Sequence, residues 1–185
     1  MINRKKLYKA AELIIEALGE DKNREGLKKT PERVARDWVE MFDGYEKDPR
    51  EYLDNTFDAE GYDEMVIREE VKIQSFCEHH LLAFRGGAWI GYIPNKRIIG
   101  LDKIDKVARG YAHRLQNQER LTQQIAKVLQ SKLKPKGVMV VLKCYHDCMC
   151  YRGVRSDKGL TTTSACFGVF RKHLETRQEF LKLIR

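Results

Sequence analysis

The sequence predicts an α+β protein whose sheet is largely antiparallel. Three observations carry that expectation. Apolar stripes at helical spacing fill the N-terminal part of the chain and return in its middle. From Met65 the period shortens to that of a strand, with Val71, Ile73 and Ser75 alternating against charged or polar neighbours. The elements run as two helices, a hairpin, two helices, a second hairpin and a short helix, an order that favours antiparallel neighbours over parallel crossovers.

The first helix spans Lys6 to Leu18, with Leu7, Ala10, Ala11, Ile14 and Leu18 on one face and Gly19 as its stop. Thr30-Pro31-Glu32 reads as the start of the second. Thr30 is the expected cap, Pro31 suits the first position, and Glu32 complements the positive end of the helix dipole. Its buried stripe is Val34, Trp38, Met41 and Phe42, and Gly44 closes it. Residues 45–63 are acidic and irregular and read as a connecting loop. Gly86-Gly87 reads as the turn of the first hairpin, before a strand over Ala88–Ile93. Helices are expected from Leu101-Asp102 and from near Gln118, strands over Gly137–His146 and Leu160–Phe170, and a closing helix over Gln178–Ile184. The expected organisation is an N-terminal helical segment with its loop, 1–63, followed by a catalytic domain, 64–185.

The chain has 185 residues and a formal charge of +8, from 35 Lys and Arg against 27 Asp and Glu. That balance suits an anionic partner, whether nucleic acid, phosphorylated metabolite or acidic surface. No apolar run approaches the ~18 residues of a membrane helix, and the opening residues do not form a signal-peptide core, so a cytoplasmic protein is expected. The five cysteines are an odd number, and three of them crowd into Cys144–Cys150. That pattern points to metal or catalysis rather than a disulfide framework.

Two compact clusters carry the chemistry: Cys77-Glu78-His79-His80 and His146-Asp147-Cys148. Thiolate and imidazole are zinc ligands, and a catalytic site uses three of them to leave a fourth position for water. Ligands drawn from distant segments are how catalytic sites are usually assembled; the bland alternative is small buried cysteines and satisfied core histidines. Weaker signals are the amides, carboxylate and guanidinium groups of Arg114–Thr122, which could read a purine edge or simply face solvent. Arg152-Gly153-Val154-Arg155 could clamp phosphate or be a surface basic patch. Thr161-Thr162-Thr163-Ser164 is most simply a β-branched strand.

Together these segments resemble the GTP cyclohydrolase I family along nearly the whole chain. The likeness runs through Thr30-Pro31-Glu32-Arg33-Val34-Ala35, Cys77-Glu78-His79-His80, Tyr92-Ile93-Pro94, Gln118-Glu119-Arg120-Leu121-Thr122, His146 through Val154, and Thr161-Thr162-Thr163-Ser164. The resemblance implies a tunnelling fold, in which antiparallel sheets with paired helices close into a barrel by oligomerisation into a homodecamer, with active sites at subunit boundaries. It implies zinc held by Cys77, His80 and Cys148, with His79 and His146 as proton-transfer groups. Gln118 and Glu119 would hold guanine, and Arg33, Lys103 and Arg152 would contact the triphosphate. The implied reaction is hydrolysis of GTP at guanine C8 to formate and 7,8-dihydroneopterin triphosphate, with no membrane or nucleic-acid partner. Cys148 is preferred to Cys150 as third ligand because a continued strand would carry Cys150 one pleat further on.

The chain departs from the family pattern beside its expected phosphate lysine. Asp102 stands where the family usually has serine, and Lys106 where it usually has arginine. Asp102 reads either as a helix N-cap or as a charge repelling the triphosphate. Two rival readings follow: the same site acting on another phosphorylated purine, and a zinc-stabilised nucleic-acid-binding protein. The second would show steeply salt-dependent binding.

Overall fold

The computed structural model describes residues 1–156 and 159–185. Helix α1 (Arg4–Ala17) starts at Asn3, whose side chain accepts from the Lys6 N–H at 3.0 Å. It packs antiparallel to α2 (Thr30–Met41). Pro31 lies in the first turn of α2 as expected, but Thr30 is inside the helix and does not cap it. The residues before it already form hydrogen-bonded turns, with the Thr30 N–H donating to Leu27 O at 2.8 Å, so the helix is entered through a turn and not through a side-chain cap. Trp38 and Phe42 at the far end of α2 pack on Phe76, with ring centroids 6.1 and 4.9 Å away. The expected loop 45–63 contains a helical turn at Pro49–Leu53 and a short strand, β1 (Thr56–Asp58), which pairs with β4 (Arg97–Ile99).

The main sheet has five strands in the order β5-β2-β3-β6-β7. They are β2 (Val66–Cys77), β3 (Ala83–Ile93), β5 (Leu115–Gln116), β6 (Gly137–His146) and β7 (Thr161–Gly168), and every pairing is antiparallel except β2 with β5. Gly86 and Gly87 are not the hairpin turn. They lie inside β3, opposite Cys144 and Lys143 of β6. A Cβ on Gly86 would sit 1.9 Å from Lys143 O, so the glycine serves a close approach of two backbones. The reversal between β2 and β3 falls earlier, on Glu78–Leu82, and is made by the Cys-Glu-His-His segment itself.

One face of the sheet carries Val71, Ile73, Phe84, Ala88, Ile90, Val140 and Leu142. Helices α3 (Leu101–Ala112) and α4 (Gln118–Leu133) bury Ile104, Val107, Leu121, Ile125 and Leu129 against it. The other face is apolar at one end only, where Met139 and Val141 meet Phe170, Phe180 and Ile184. That cover follows a sharp corner at Gly168, φ 61°, where a Cβ would lie 2.1 Å from Lys136 O. The corner ends β7 before Phe170, which opens the short helix α6 (Val169–Lys172) instead of closing a strand; α7 (Leu174–Leu183) follows. The α+β expectation therefore holds, as a largely antiparallel sheet with two helices laid on one face. Among the described residues no helix is long and apolar enough to cross a membrane.

Candidate active site

Three chain segments meet at the Cys77 end of the sheet. The β2–β3 turn is tight, with the Cys77 N–H donating to Leu82 O at 2.8 Å and the Leu81 N–H to Cys77 O at 2.9 Å. Leu81 takes φ 55° to close it. This one-turn coil brings His80 back over Cys77, with Nδ1 3.7 Å from Sγ, and puts His79 Nδ1 at the same distance. The register of β3 with β6 sets Phe84 opposite His146, so the end of β6 lies beside the turn. The chain then coils into α5 (Asp147–Cys150), which delivers Cys148.

The ligand atoms of Cys77, His80 and Cys148 all lie within 4.8 Å of one another. Tetrahedral zinc with bonds of ~2.0–2.3 Å needs ligand atoms roughly 3.5–3.8 Å apart, so the donor set and its spacing fit that ion with little movement. Burial, and then the neighbouring Cys77 thiol, push the Cys148 thiol above its ordinary pKa. Two thiols sharing one pocket resist ionisation together, which a bound dication would reverse. Cys150 stands apart for a reason other than the expected pleat. Residues 147–150 are helical, and residues two apart on a helix point to different sides. Cys144 is buried in the core, its pKa pushed up to about 12 by burial.

A second layer of polar groups holds the turn. The Arg120 guanidinium donates to Glu78 through two nitrogens, at 2.6 and 3.2 Å, and Asn117 Nδ2 donates to the same carboxylate at 3.0 Å. These contacts hold the Glu78 carboxyl below its ordinary pKa, Arg120 contributing most. Asn117 Oδ1 also caps α4 by accepting from the Arg120 N–H at 2.8 Å. The metal turn and the start of α4 are thereby locked together. Sequence reasoning passed over Glu78, Asn117 and Arg120, although Glu78 lies inside the Cys-Glu-His-His segment and Arg120 directly follows Gln118-Glu119.

His146 is half-buried and stacks on Phe84 at 4.8 Å with the rings 9° apart. Burial pulls its pKa below 6.5; Glu119 and Asp147 oppose that shift. Its Nε2 lies 2.7 Å from Gln118 Oε1. Gln118 is 1% exposed, and its amide nitrogen donates inward to Leu142 O, Thr161 O and Thr163 Oγ1. Gln118, expected to hold guanine, thus has its amide within hydrogen-bond distance of the protein's own groups on both sides. Glu119, one residue on, is exposed in the first turn of α4 and close enough to act on His146 electrostatically.

The expected phosphate residues are not gathered at this end. Arg152 is there, its Nη1 donating to His80 Nε2 at 2.9 Å. Arg33 is exposed on α2. Lys103 lies in the first turn of α3, at the opposite end of β2, where Asp105 of the same helix pairs with Arg68 at 2.8 Å. Arg68 and Cys77 are nine residues apart along β2, roughly 30 Å at ~3.3 Å per residue. Asp102 does not cap α3, because Gly100 holds that position. Its carboxylate accepts instead from Lys103 Nζ at 3.0 Å and Lys106 Nζ at 2.8 Å, and those two ammonium groups lower its pKa, Lys106 first.

Three converging donors, with an imidazole and a carboxylate nearby, form a candidate metal site of the kind an enzyme uses. A structural zinc staple would instead supply a fourth protein ligand. A family profile described as GTP cyclohydrolase I matches residues 7–185. GTP cyclohydrolase 1 of Pelotomaculum thermopropionicum is 48% identical over 186 aligned positions, covering 100% of this chain and 98% of that one. GTP cyclohydrolase 1 of Aquifex aeolicus is 49% identical over 185, again covering 100% and 98%. A solved structure, the archaeosine synthase QueF-Like in the apo form, superposes on 56% of this chain and 93% of its own with a TM-score of 0.44 and 17% identity. The chain belongs to the GTP cyclohydrolase I family.

Proposed function

We propose that this protein hydrolyses GTP at guanine C8, releasing formate and forming 7,8-dihydroneopterin triphosphate, with zinc held by Cys77, His80 and Cys148. The observation that carries the reading is the meeting of those three ligands with His146 and Glu119 in a chain related to GTP cyclohydrolases over its full length. Zinc at these ligands would supply Lewis-acid activation of the attacking water.

The chain's own groups do the rest. His146 takes a proton from the attacking water and passes it to N7 as electrons move onto that nitrogen. His79, exposed on the turn, serves proton transfer during ring opening. Glu119 accepts the paired N–H donors of guanine, and Gln118 supports His146 in place of the base. Arg152 receives the triphosphate beside the metal, with Arg33 and Lys103. Because Lys103 stands in the first turn of α3, the helix whose Asp105 pairs with Arg68 at the far end of β2 from Cys77, it serves the site of a neighbouring copy. The outer edge of β7 pairs with no strand among the described residues, which fits a homo-oligomer closed by strand pairing; the family resemblance makes it a decamer. Such an enzyme works in the cytoplasm and needs neither membrane nor nucleic acid.

The test is to incubate zinc-loaded protein with GTP and detect formate and, after oxidation, a fluorescent pterin. Absence of both refutes the reading. Asp102, lodged between Lys103 and Lys106, favours a second reading in which a purine nucleotide with fewer phosphates is used. Formate release from GTP, GDP and GMP under the same conditions separates the two.

A further inference from the structure

Beneath His146 lies a buried polar cluster whose hydrogens can be placed one by one. Gln118 Nε2 lies 3.2 Å from Leu142 O and 2.9 Å from Thr161 O. Backbone carbonyls only accept, so the amide nitrogen must face them and Oε1 must face His146. A flipped amide would press its oxygen against two carbonyl oxygens in a site from which water is excluded. Oε1 is likewise only an acceptor. The 2.7 Å contact to His146 Nε2 therefore requires a hydrogen on Nε2.

The threonines of the cluster reinforce that orientation. The Thr122 hydroxyl donates to the Gln118 backbone carbonyl at 2.7 Å, which commits its only hydrogen. The 2.7 Å contact between Thr122 and Thr163 must then be donated by Thr163. The Thr163 oxygen is left as an acceptor 3.1 Å from Gln118 Nε2, where it shares the amide's two hydrogens with the carbonyls of Leu142 and Thr161. The hydroxyl hydrogens thus run from Thr163 to Thr122 and from Thr122 to the Gln118 carbonyl, which leaves the Thr163 oxygen facing the amide nitrogen. Thr163 belongs to the Thr161–Ser164 segment, which the sequence reading treated as plain strand.

We propose that Gln118, backed by Thr122 and Thr163, is a positioning residue that holds neutral His146 as its Nε2–H tautomer, so that Nδ1 is the nitrogen that moves protons. The proposal rests on the proton-transfer role given to His146 above and assigns its atoms. Nδ1 carries the lone pair, takes a proton from the attacking water, and returns that proton to the purine nitrogen. The Nε2 hydrogen stays on Gln118 throughout. Phe84, stacked flat on the imidazole, holds its plane while this happens.

The test reads the tautomer directly. Zinc-loaded protein labelled with ¹⁵N-histidine is measured by solid-state NMR at about pH 8, where a histidine of ordinary pKa is neutral. The His146 signals are assigned by their loss in His146→Gln. The expected spectrum has a protonated Nε2 and a bare Nδ1; a protonated Nδ1, or an even mixture, overturns the proposal. Thr163→Val, which keeps the shape and removes the hydroxyl, should let the second tautomer appear and lower kcat on the order of 10-fold with KM for GTP unchanged, and Thr163→Ser should restore both. A Thr163→Val protein that keeps its tautomer and kcat contradicts the proposal. An Nδ1–H ring in protein that releases formate from GTP overturns the proposal and leaves the proposed function standing. An Nε2–H ring in protein that releases no formate overturns the function and the proton-transfer step with it.

Discussion

At the Cys77 end of β2 the polar groups form a hydrogen-bonded network anchored by the buried Gln118, whereas at the Arg68 end, where α3 begins, they are held by ion pairs alone. Glu78 is gripped by Arg120 and Asn117, and Gln118 spends its whole amide on four partners. Asp102 is 57% exposed and shares its carboxylate between two flexible lysines. The first arrangement fixes atoms to the tolerance that metal binding and proton transfer demand. The second holds a charge that a phosphate could replace at low cost, because water and salt screen exposed ion pairs. One chain thus carries a hydrogen-bonded cluster at the Cys77 end of β2 and an exposed ion-pair cluster at the start of α3.

The contrast breaks most severely if the rigid end loses a ligand. Cys148→Ala should abolish stoichiometric zinc and all turnover, while Cys150→Ala keeps both, as read by metal analysis alongside formate release. Retention of zinc in Cys148→Ala with loss in Cys150→Ala would reassign the third ligand. A smaller effect is expected from the clamp. Arg120→Ala frees Glu78 and should weaken zinc binding roughly 10- to 100-fold in a chelator competition, as for other residues that orient metal ligands. Lys106→Ala, at the exposed end, should leave zinc affinity unchanged.

Changes at the exposed end should be modest. Asp102→Ser releases Lys103 and Lys106 and should lower KM for GTP about 2- to 5-fold, with zinc content unaltered. An unchanged KM would mean that the Asp102 carboxylate never competes with phosphate. Smallest of all is its acid titration. The two lysines depress the folded carboxyl below 3.8, so their stabilisation is complete above that value and is lost as pH falls through the depressed one. In Lys106→Ala the carboxyl should titrate closer to 3.8, followed by side-chain NMR.

What the sequence made legible follows the same division. The candidate metal cluster was legible because Cys and His in two tight clusters have few other uses, and the family resemblance picked out Cys77, His80 and Cys148; the helices were readable from their stripes. The turn at Gly86-Gly87 was misplaced because glycine marks both turns and close backbone approach, and only the facing Lys143 carbonyl distinguishes them. The family resemblance placed Gln118 at the substrate, and its internal partners were not legible because an amide beside a carboxylate looks the same in sequence whether it faces a ligand or the core. Its true partners, Leu142, Thr161 and Thr163, come from strands far along the chain. The cap reading of Asp102, one of two the sequence left open, fails because the helix start is legible only to within a residue or two, and Gly100 holds the cap position.

The central claim is that a working site joins the metal end of one copy to the phosphate end of another. It is tested by mixing two inactive proteins, Cys148→Ala and Lys103→Ala, under conditions where subunits exchange. If sites form between copies, some join an intact Cys77 end to an intact α3 start, and formate release should recover to roughly a quarter of the wild-type rate after random exchange. If each chain completes its own site, every site in the mixture keeps one defect, and the mixture stays as inactive as its parents.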